Sequence, residues 1–469
     1  MRYWIVSLFV IVTSLTSAQH RPLTYGVDDL PQSLLQNPGA AINFSKHIGA
    51  PLLSGISIDA GANAITAFDI FKTESDINSN IENAINRLRS TDYFSGNVQV
   101  EWLSFGWSSK RRAERYYSAG AYVEADFIGY FPKDLAILAY NGNAGAIERP
   151  FNLGHISGRT SVVNTYHFGI QEVISPKWIV GARAKLYSSI FNATSTSNQG
   201  TFITRNTFEG PNFYSHDIEN ADLRLDTSGI DGLDQEINPV ATVIKRGLFS
   251  GNIGLGLDLG ATFMMDDHWS FSASLIDIGF IQHAKNVRSA TAKGTYGLEG
   301  IELVFPEIIN GTETNPYYDD LVDEIEEQLN YNKNVRESYT TLRPLKINAG
   351  ANYGFGQGFL DDCACRKGNR RYENNIGAQL FAVKRPQHLQ TAATVYFDRR
   401  WTPNIRTKLT YGVDEFSYTN VGLLVSFNVH KINLYLASNN VLSFANLAKA
   451  NSASLQLGLQ WVAPPNPYR

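Results

Sequence analysis

Residues 454–461 read Ser454-Leu455-Gln456-Leu457-Gly458-Leu459-Gln460-Trp461. Every second residue is apolar, and each residue between is polar or glycine. That is the period of a strand with one oily face and one wet face. The pattern recurs along the chain. Ile253, Leu255, Leu257, Leu259, Ala261 and Phe263 alternate with Gly254, Gly256, Asp258, Gly260 and Thr262. Ala182, Ala184 and Leu186 alternate with Arg183, Lys185 and Tyr187, and Ala119, Ala121, Val123, Ala125 and Phe127 with Gly120, Tyr122, Glu124 and Asp126. Charges keep to one face of each strand. A soluble sandwich would have to bury all these oily faces against one another, whereas in a transmembrane barrel they face lipid and the polar set faces a lumen. The expected fold is all-β, a transmembrane antiparallel up-and-down β-barrel.

The N terminus fits an exported chain. Arg2 precedes a mostly apolar run from Tyr3 to Leu15, and Thr16-Ser17-Ala18 supplies the small residues of a signal-peptidase site, so residues 1–18 are expected to be removed before Gln19. The apolar run is shorter than the about 20 residues of a spanning helix. No later segment approaches that length, so the chain crosses a membrane as a barrel or not at all. Aromatics are abundant, with 23 Tyr, 26 Phe and 7 Trp, as girdles at two lipid interfaces require. A net charge of −4 argues against a nucleic-acid partner. The 2 cysteines, Cys363 and Cys365, are too few for a disulfide framework or a four-ligand zinc site. They read as a local disulfide or two thiols in a turn.

Turns fall into two kinds. Short ones border aromatics: Ser175-Pro176-Lys177 before Trp178, Asp266-Asp267-His268 before Trp269, and Thr402-Pro403-Asn404 after Trp401. Val429-His430-Lys431 is similar without the Trp. Long ones span 63–96, 130–156, 227–249, 284–342 and 439–452. Outer-membrane barrels have short periplasmic turns and longer external loops. Trp178, Trp269 and Trp401 are therefore candidates for the periplasmic girdle. The strand candidates are 52–62, 97–108, 116–129, 157–174, 178–194, 200–208, 214–226, 250–265, 269–283, 343–355, 374–385, 390–401, 405–413, 417–428, 431–438 and 453–462. The pair 200–208 and 214–226 is weakly patterned and reads alternatively as an external hairpin, so the barrel has about 14 to 16 strands, an even number that returns both termini to the periplasm. Helical spacing marks 76–90 and 317–331, and Pro132 suits the first turn of a third, shorter helix. Residues 19–50 carry Pro22, Pro31 and Pro38 and little alternation. They are expected to stay out of the sheet as a plug, with Gln36, Asn37 and Pro38 inside or beneath the lumen. The division is thus 1–18 signal, 19–50 plug, 51–462 barrel and 463–469 tail. Inward-facing candidates are Glu124, Asp126, Arg183, Lys185, Asp258, Lys346 and Gln456.

Catalytic motifs are missing: no HExxH, GxSxG or P-loop occurs. Gly354-Phe355-Gly356-Gln357-Gly358 reads as a flexible turn, because it leads to Asp361-Asp362-Cys363 and not to a helix. Asp266-Asp267-His268 reads as a polar turn, and the acids of 317–331 as a solvated helix face. No cofactor, metal or catalytic residue is expected.

Leu34-Leu35-Gln36-Asn37-Pro38-Gly39-Ala40, just before the first strand, resembles the Asn-Pro element of long-chain fatty-acid-transporter barrels and of related Bacteroidota barrels, including the type nine secretion shuttle protein. His47-Ile48-Gly49-Ala50-Pro51-Leu52-Leu53-Ser54-Gly55, Pro132-Lys133-Asp134-Leu135 with Asn141-Gly142-Asn143, and Asp277-Ile278-Gly279 are similar to an uncharacterised Bacteroidota family of that kind. The last strand departs from the usual pattern, since Val462 to Arg469 displaces the terminal aromatic. The resemblance implies a plugged barrel in the bacterial outer membrane, with lipid as its surroundings. The function expected is gated transport of a hydrophobic or small amphipathic solute. The alternative is a structural or partner-binding subunit, alongside other envelope proteins, in a surface or secretion assembly. An outer-membrane enzyme is the least supported class, for want of a nucleophile and base in a recognisable motif.

Overall fold

The computed structural model describes residues 21–464 apart from 74, 113, 208–212, 231–245, 299–307, 310–311, 314–315 and 360–370. Its main body is a closed antiparallel barrel of 14 strands. They are β1 (Gly55–Ala62), β2 (Tyr93–Ser108), β3 (Arg115–Tyr130), β4 (Gly158–Ser175), β5 (Trp178–Ser195), β6 (Ile253–Met264), β7 (Trp269–His283), β8 (Lys346–Phe359), β9 (Arg371–Lys384), β10 (Leu389–Thr402), β11 (Ile405–Val413), β12 (Asn420–Val429), β13 (Ile432–Ser438) and β14 (Ser452–Ala463). Neighbours in sequence are neighbours in the wall. β14 closes on β1 with Ile56 opposite Leu457 and Ile58 opposite Leu455.

Alternation decides what each face meets. Leu255, Leu257 and Leu259 are 59%, 40% and 40% exposed on the outside, while Asp258 between them is fully buried inside. Leu455 is exposed, Leu457 and Leu459 are half-buried, and Gln456 and Gln460 point inward and are buried. An apolar exterior around a polar interior is the arrangement that lipid imposes on a barrel. Among the described residues no helix is long and apolar enough to cross a membrane.

The first strand begins earlier than the sequence suggested. Lys46–Gly49 pairs with the same two neighbours as β1: Ile48 lies opposite Trp461 on β14 and Phe105 on β2. The alternation of exposed Lys46 and Ile48 with buried His47 and Gly49 is short enough to be hidden by the excursion after it. Residues 50–54 leave the ladder, with Leu52 at φ +63 and its side chain 61% exposed. Residues 46–49 of the 19–50 segment therefore belong to the sheet, and the part outside it ends at Ser45. The last strand closes the barrel despite its displaced terminal aromatic.

The barrel ends differ. Ser45, Ala463 and the turns 109–114, 176–177, 265–268, 403–404 and 430–431 share one end. The opposite end carries the long connections, although the turns 385–388 and 414–419 there are short. The weakly patterned pair is an external hairpin, Gln199–Asn206 with Tyr214–Ser228, extended by Val287–Leu298 and Asn332–Val335. It grows from the wall because β4 and β5, at 18 residues each, exceed the roughly 9–11 that a bilayer needs. Asn192, Ala193 and Thr194 at the end of β5 pair with Ser228, Thr227 and Asp226.

Helices cover this end. Ile77–Arg87 is capped by Asp76, which accepts from Asn78 N and Ser79 N. Lys133–Asn141 follows Pro132, which takes the cap position and not the first turn. Ile85 and Ile137 from these helices pack on Phe151. Pro316–Gln328 precedes Leu329, which packs on Ala221 and Tyr296 of the external sheet. Residues 1–18, Cys363, Cys365 and the tail from 465 lie outside the described residues.

Leu257 sits midway along β6, facing outward. Leu257→Arg is expected to destabilise the barrel by about 2–4 kcal/mol if that position lies at the bilayer midplane. Reversible urea unfolding from lipid vesicles reads the difference. The same substitution at the exposed Tyr418, in the turn 414–419, should change little.

Candidate functional site in the plugged lumen

The interior of the wall is dense with charge. Arg183 reaches Asp258 at 3.2 Å, and Lys185 reaches Asp258 at 2.9 Å and Asp277 at 2.7 Å. Lys346 bridges Asp277 at 3.2 Å and Glu124 at 3.1 Å, and Glu124 also holds Arg343. Arg385 meets Asp126 at 2.7 Å. Each carboxylate thus faces at least one cation, which buried charges require. The inward candidates Glu124, Asp126, Arg183, Lys185, Asp258 and Lys346 all lie in this system. Gln456 points inward apart from it and donates to Asn439 Oδ1 at 3.3 Å.

Sequence reasoning missed Asp277, Arg343 and Arg385 as members. Asp277 sits at a bulge: Leu257 pairs with Ile278 but Leu259 pairs with Leu275, so β7 has an extra residue there. At φ +64 Asp277 is buried together with its neighbour Ile276, which breaks the two-residue period. Asp-Ile-Gly was the available signal. Arg343 and Arg385 flank strands and belong to no alternating run.

Residues 21–45 occupy the lumen. Arg21 donates to Gln99 and Asn97 at 3.0 and 3.1 Å. Lys408 Nζ donates to the carbonyls of Pro22 and Tyr25 at 2.8 and 2.7 Å. Leu23, Val27 and Leu30 lie against Leu424, Tyr435 and Ala437 of the wall. Asp28 and Asp29 form a latch with two wall arginines. Arg400 meets Asp29 at 2.6 Å and Asp28 at 3.5 Å, and Arg406 meets both, as well as Asp398 at 2.5 Å. Gln32 donates to Ser54 O at 2.6 Å, within the excursion of the first strand, and accepts from Gln460 at 2.8 Å.

The plug candidates Gln36, Asn37 and Pro38 lie where this segment meets the wall of β5, β6 and β7. The short helix Ser33–Gln36 ends in Asn37, whose Oδ1 accepts from Gly39 N at 2.9 Å. Gln36 O accepts from Ser274 at 2.6 Å, Gly39 O from Thr262 at 2.8 Å, and Ala40 O from Gln171. Arg183 donates to Leu34 O. The turn rests on Gly181 and Gly260, which face each other across β5 and β6. A Cβ at Gly181 would stand 2.1 Å from Pro38 O, and one at Gly260 2.0 Å from Asn37 Oδ1. Only glycine lets the plug backbone approach this closely.

What space remains is small. A cavity of about 130 Å³ lies beside Tyr25, Asp28 and Asn37 at the short-turn end. A second of about 70 Å³ lies in mid-lumen between Arg21, Tyr122, Lys185 and Lys346, and a third of about 50 Å³ lies near the loop end. Each is smaller than the about 300–1,000 Å³ of a usual solute pocket. Among the described residues no group of three His, Cys, Asp or Glu side chains is placed to hold a metal. Trp178, Trp269 and Trp401 stand together at the short-turn end, all exposed. Trp178 packs on Phe263 at 4.8 Å, Trp269 on Tyr353 at 5.0 Å, and Arg399 lies 4.3 Å over Trp401.

Arg406→Ala leaves Asp398 buried without its ion-pair partner and weakens the latch on Asp28 and Asp29. The loss is expected to be about 3–5 kcal/mol. Limited proteolysis of the folded barrel should then cleave within residues 21–45, where the intact protein resists.

Similar solved structures come from bacteria. The toluene transporter TodX of Pseudomonas putida is 9% identical, over 95% of this chain and 94% of its own, with a TM-score of 0.36. A Pseudomonas aeruginosa FadL homologue is 8% identical over 96% and 100%, with a TM-score of 0.44. The translocator domain of the autotransporter NalP from Neisseria meningitidis is 6% identical over 91% of each chain, with a TM-score of 0.33. Likeness this distant is shared by transporters and by a secretion translocator alike, and assigns no solute. No functionally curated protein sequence matches. Residues 38–439, from the plug's seat to the end of β13, match one family model, and the chain belongs to that family, the family of unknown function DUF5723.

Proposed function

We propose that this protein is a gated transporter of the bacterial outer membrane, with residues 21–45 as its gate and a hydrophobic or small amphipathic solute as its cargo. The observation that carries the reading is how the plug is held. It fills the lumen but forms no strand of the sheet. Most of its bonds run from wall side chains to plug carbonyls and acids, with Arg21 and Gln32 donating in the other direction, contacts that water can replace as the segment moves. Its turn rests on two glycines and is held by hydrogen bonds from Ser274, Thr262 and Gln171. Withdrawal would uncover Leu424, Tyr435 and Ala437 beside Lys408 and Arg406, an amphipathic lane down one side of the wall.

A second reading, a subunit of a surface or secretion assembly, draws support from the sheet that rises off the barrel, where Phe213 is 82% exposed. Crosslinking in cells at residue 213 separates the two. A reproducible partner would favour assembly, and a lone barrel would favour transport.

Planar-bilayer recording tests the gate. The intact protein should be closed. Deletion of residues 19–45, which spares the paired strand 46–49, should open it. Gly181→Leu or Gly260→Leu should also open it, by pushing Pro38 and Asn37 off their seat while the wall stays closed. A large steady conductance from the intact protein, or silence from all three variants in correctly folded barrels, would overturn the proposal.

A further inference from the structure

The three cavities differ in charge. The mid-lumen cavity is lined by Arg21, Lys185 and Lys346 together with Asp59 and Asp277, and the one at the short-turn end by Arg400, Arg406 and His268 together with Asp28, Asp266, Asp267 and Asp398. The cavity near the loop end has no Lys, Arg or His in its lining. It lies inside the barrel above Pro22, on the loop side of the plug, between Asp59 on β1 and the turn that begins at Asp414.

Its polar lining is rich in acceptors. Asp59 is 8% exposed and makes no ion pair among the described residues; it accepts from Ser57 at 3.0 Å and from Asn439 at 3.5 Å. Asp414 accepts from Phe416 N and Ser417 N at 3.0 and 2.9 Å through one oxygen, and has no ion pair among the described residues either. Burial with no basic neighbour pushes its carboxyl up to about 6. Asn420, 5% exposed, donates to Ser417 O at 3.2 Å, which fixes the orientation of its amide. Its Oδ1 is buried with no hydrogen-bond partner, and so is Oδ1 of Asn440, which is 9% exposed. Two carbonyl oxygens without a donor and two carboxylates without an ion pair thus line one cavity, with Arg21 on the far, mid-lumen side of Asp59. Around them the wall is apolar, with Ala392 and Phe416.

We infer that this cavity binds the ammonium group of a small primary amine arriving from the loop side. An ammonium offers three donors, no acceptor and one positive charge, which the acceptor set and the carboxylates answer. A short alkyl tail suits Ala392 and Phe416. The volume of about 50 Å³, against roughly 30 Å³ for a water, admits the head and one or two carbons. A calcium ion would want six to eight oxygen ligands, more than this half-apolar lining presents. The inference names a solute class for the proposed transporter. Binding stands without that reading, and only passage of the amine through the wall rests on it.

The full-length barrel in lipid nanodiscs is titrated by calorimetry with ethylamine at pH 8, well above the value of about 6 for Asp414. Ethanol, acetate and calcium chloride are titrated in parallel. Ethylamine should bind with one-to-one stoichiometry. Asp59→Asn, which keeps the side chain's shape, should weaken it about tenfold or more, the usual effect of losing a charge-assisted bond. Ala392→Leu should abolish binding by filling the cavity from its apolar side. Heat-modifiable electrophoretic mobility confirms that each variant is folded. Acetate or ethanol binding as well as ethylamine, calcium displacing the amine, indifference to both substitutions, or no heat up to about 50 mM amine would each overturn the inference. Flux of labelled ethylamine into proteoliposomes keeps the two readings apart: binding without flux leaves the site and removes transport, and flux indifferent to Asp59→Asn removes the site alone.

Discussion

Lipid cannot solvate a charge, so every ionised side chain of the spanning strands is driven to one face, and closing the sheet turns that face into a narrow, crowded volume. The rest of the structure depends on having to satisfy that volume. Arg183, Asp258, Lys185, Asp277, Lys346, Glu124 and Arg343 form a run in which signs alternate. The alternation is set by cross-strand register: Asp258 lies directly opposite Arg183, and a one-residue slip would turn one of them to lipid. Ion pairs here do for the interior what apolar packing does in a soluble core. They also make it selective, because whatever enters must offer hydrogen bonds.

The plug meets that demand with its backbone. Its carbonyls at Pro22, Tyr25, Leu34, Gln36, Gly39 and Ala40 receive bonds from wall side chains, and Asp28 and Asp29 add the negative charge that Arg400 and Arg406 call for. A strand or a longer helix would have kept most of those carbonyls for itself, whereas the single turn Ser33–Gln36 leaves those of Leu34 and Gln36 free. Three prolines and short turns leave them free to face the wall, so the irregular conformation of the segment is what lets it be held without joining the sheet.

The barrel was legible because its signal is periodic. Leu255 to Phe263 and Leu455 to Trp461 state the two faces plainly, and the choice between 14 and 16 strands turned on one hairpin whose alternation is blurred because it leaves the bilayer. What stayed hidden is non-periodic. The extra residue at Asp277 inverts the pattern locally, and Lys46–Gly49 is too short to show a period. Gly181 and Gly260 read as ordinary small inward residues, since nothing local says that another part of the chain will lie upon them. The latch of Asp28 and Asp29 on Arg406 joins residues more than 370 apart, a relation that pattern reading cannot reach. The plug was visible as prolines without alternation, and its docking partners were not.

The plug runs through Ser45 directly into the strand that seals the cylinder. Lys46 to Ala62 lies between β2 and β14, so the seam joins the two ends of the chain, with Lys46 opposite Ala463. Such pairing has the greatest sequence separation the chain offers and is the slowest kind to form. Because Ser45 is joined directly to that seam, the segment stays tethered to the wall at the short-turn end however far the rest of it moves, so its free path is set by the length of chain from Arg21 to Ser45.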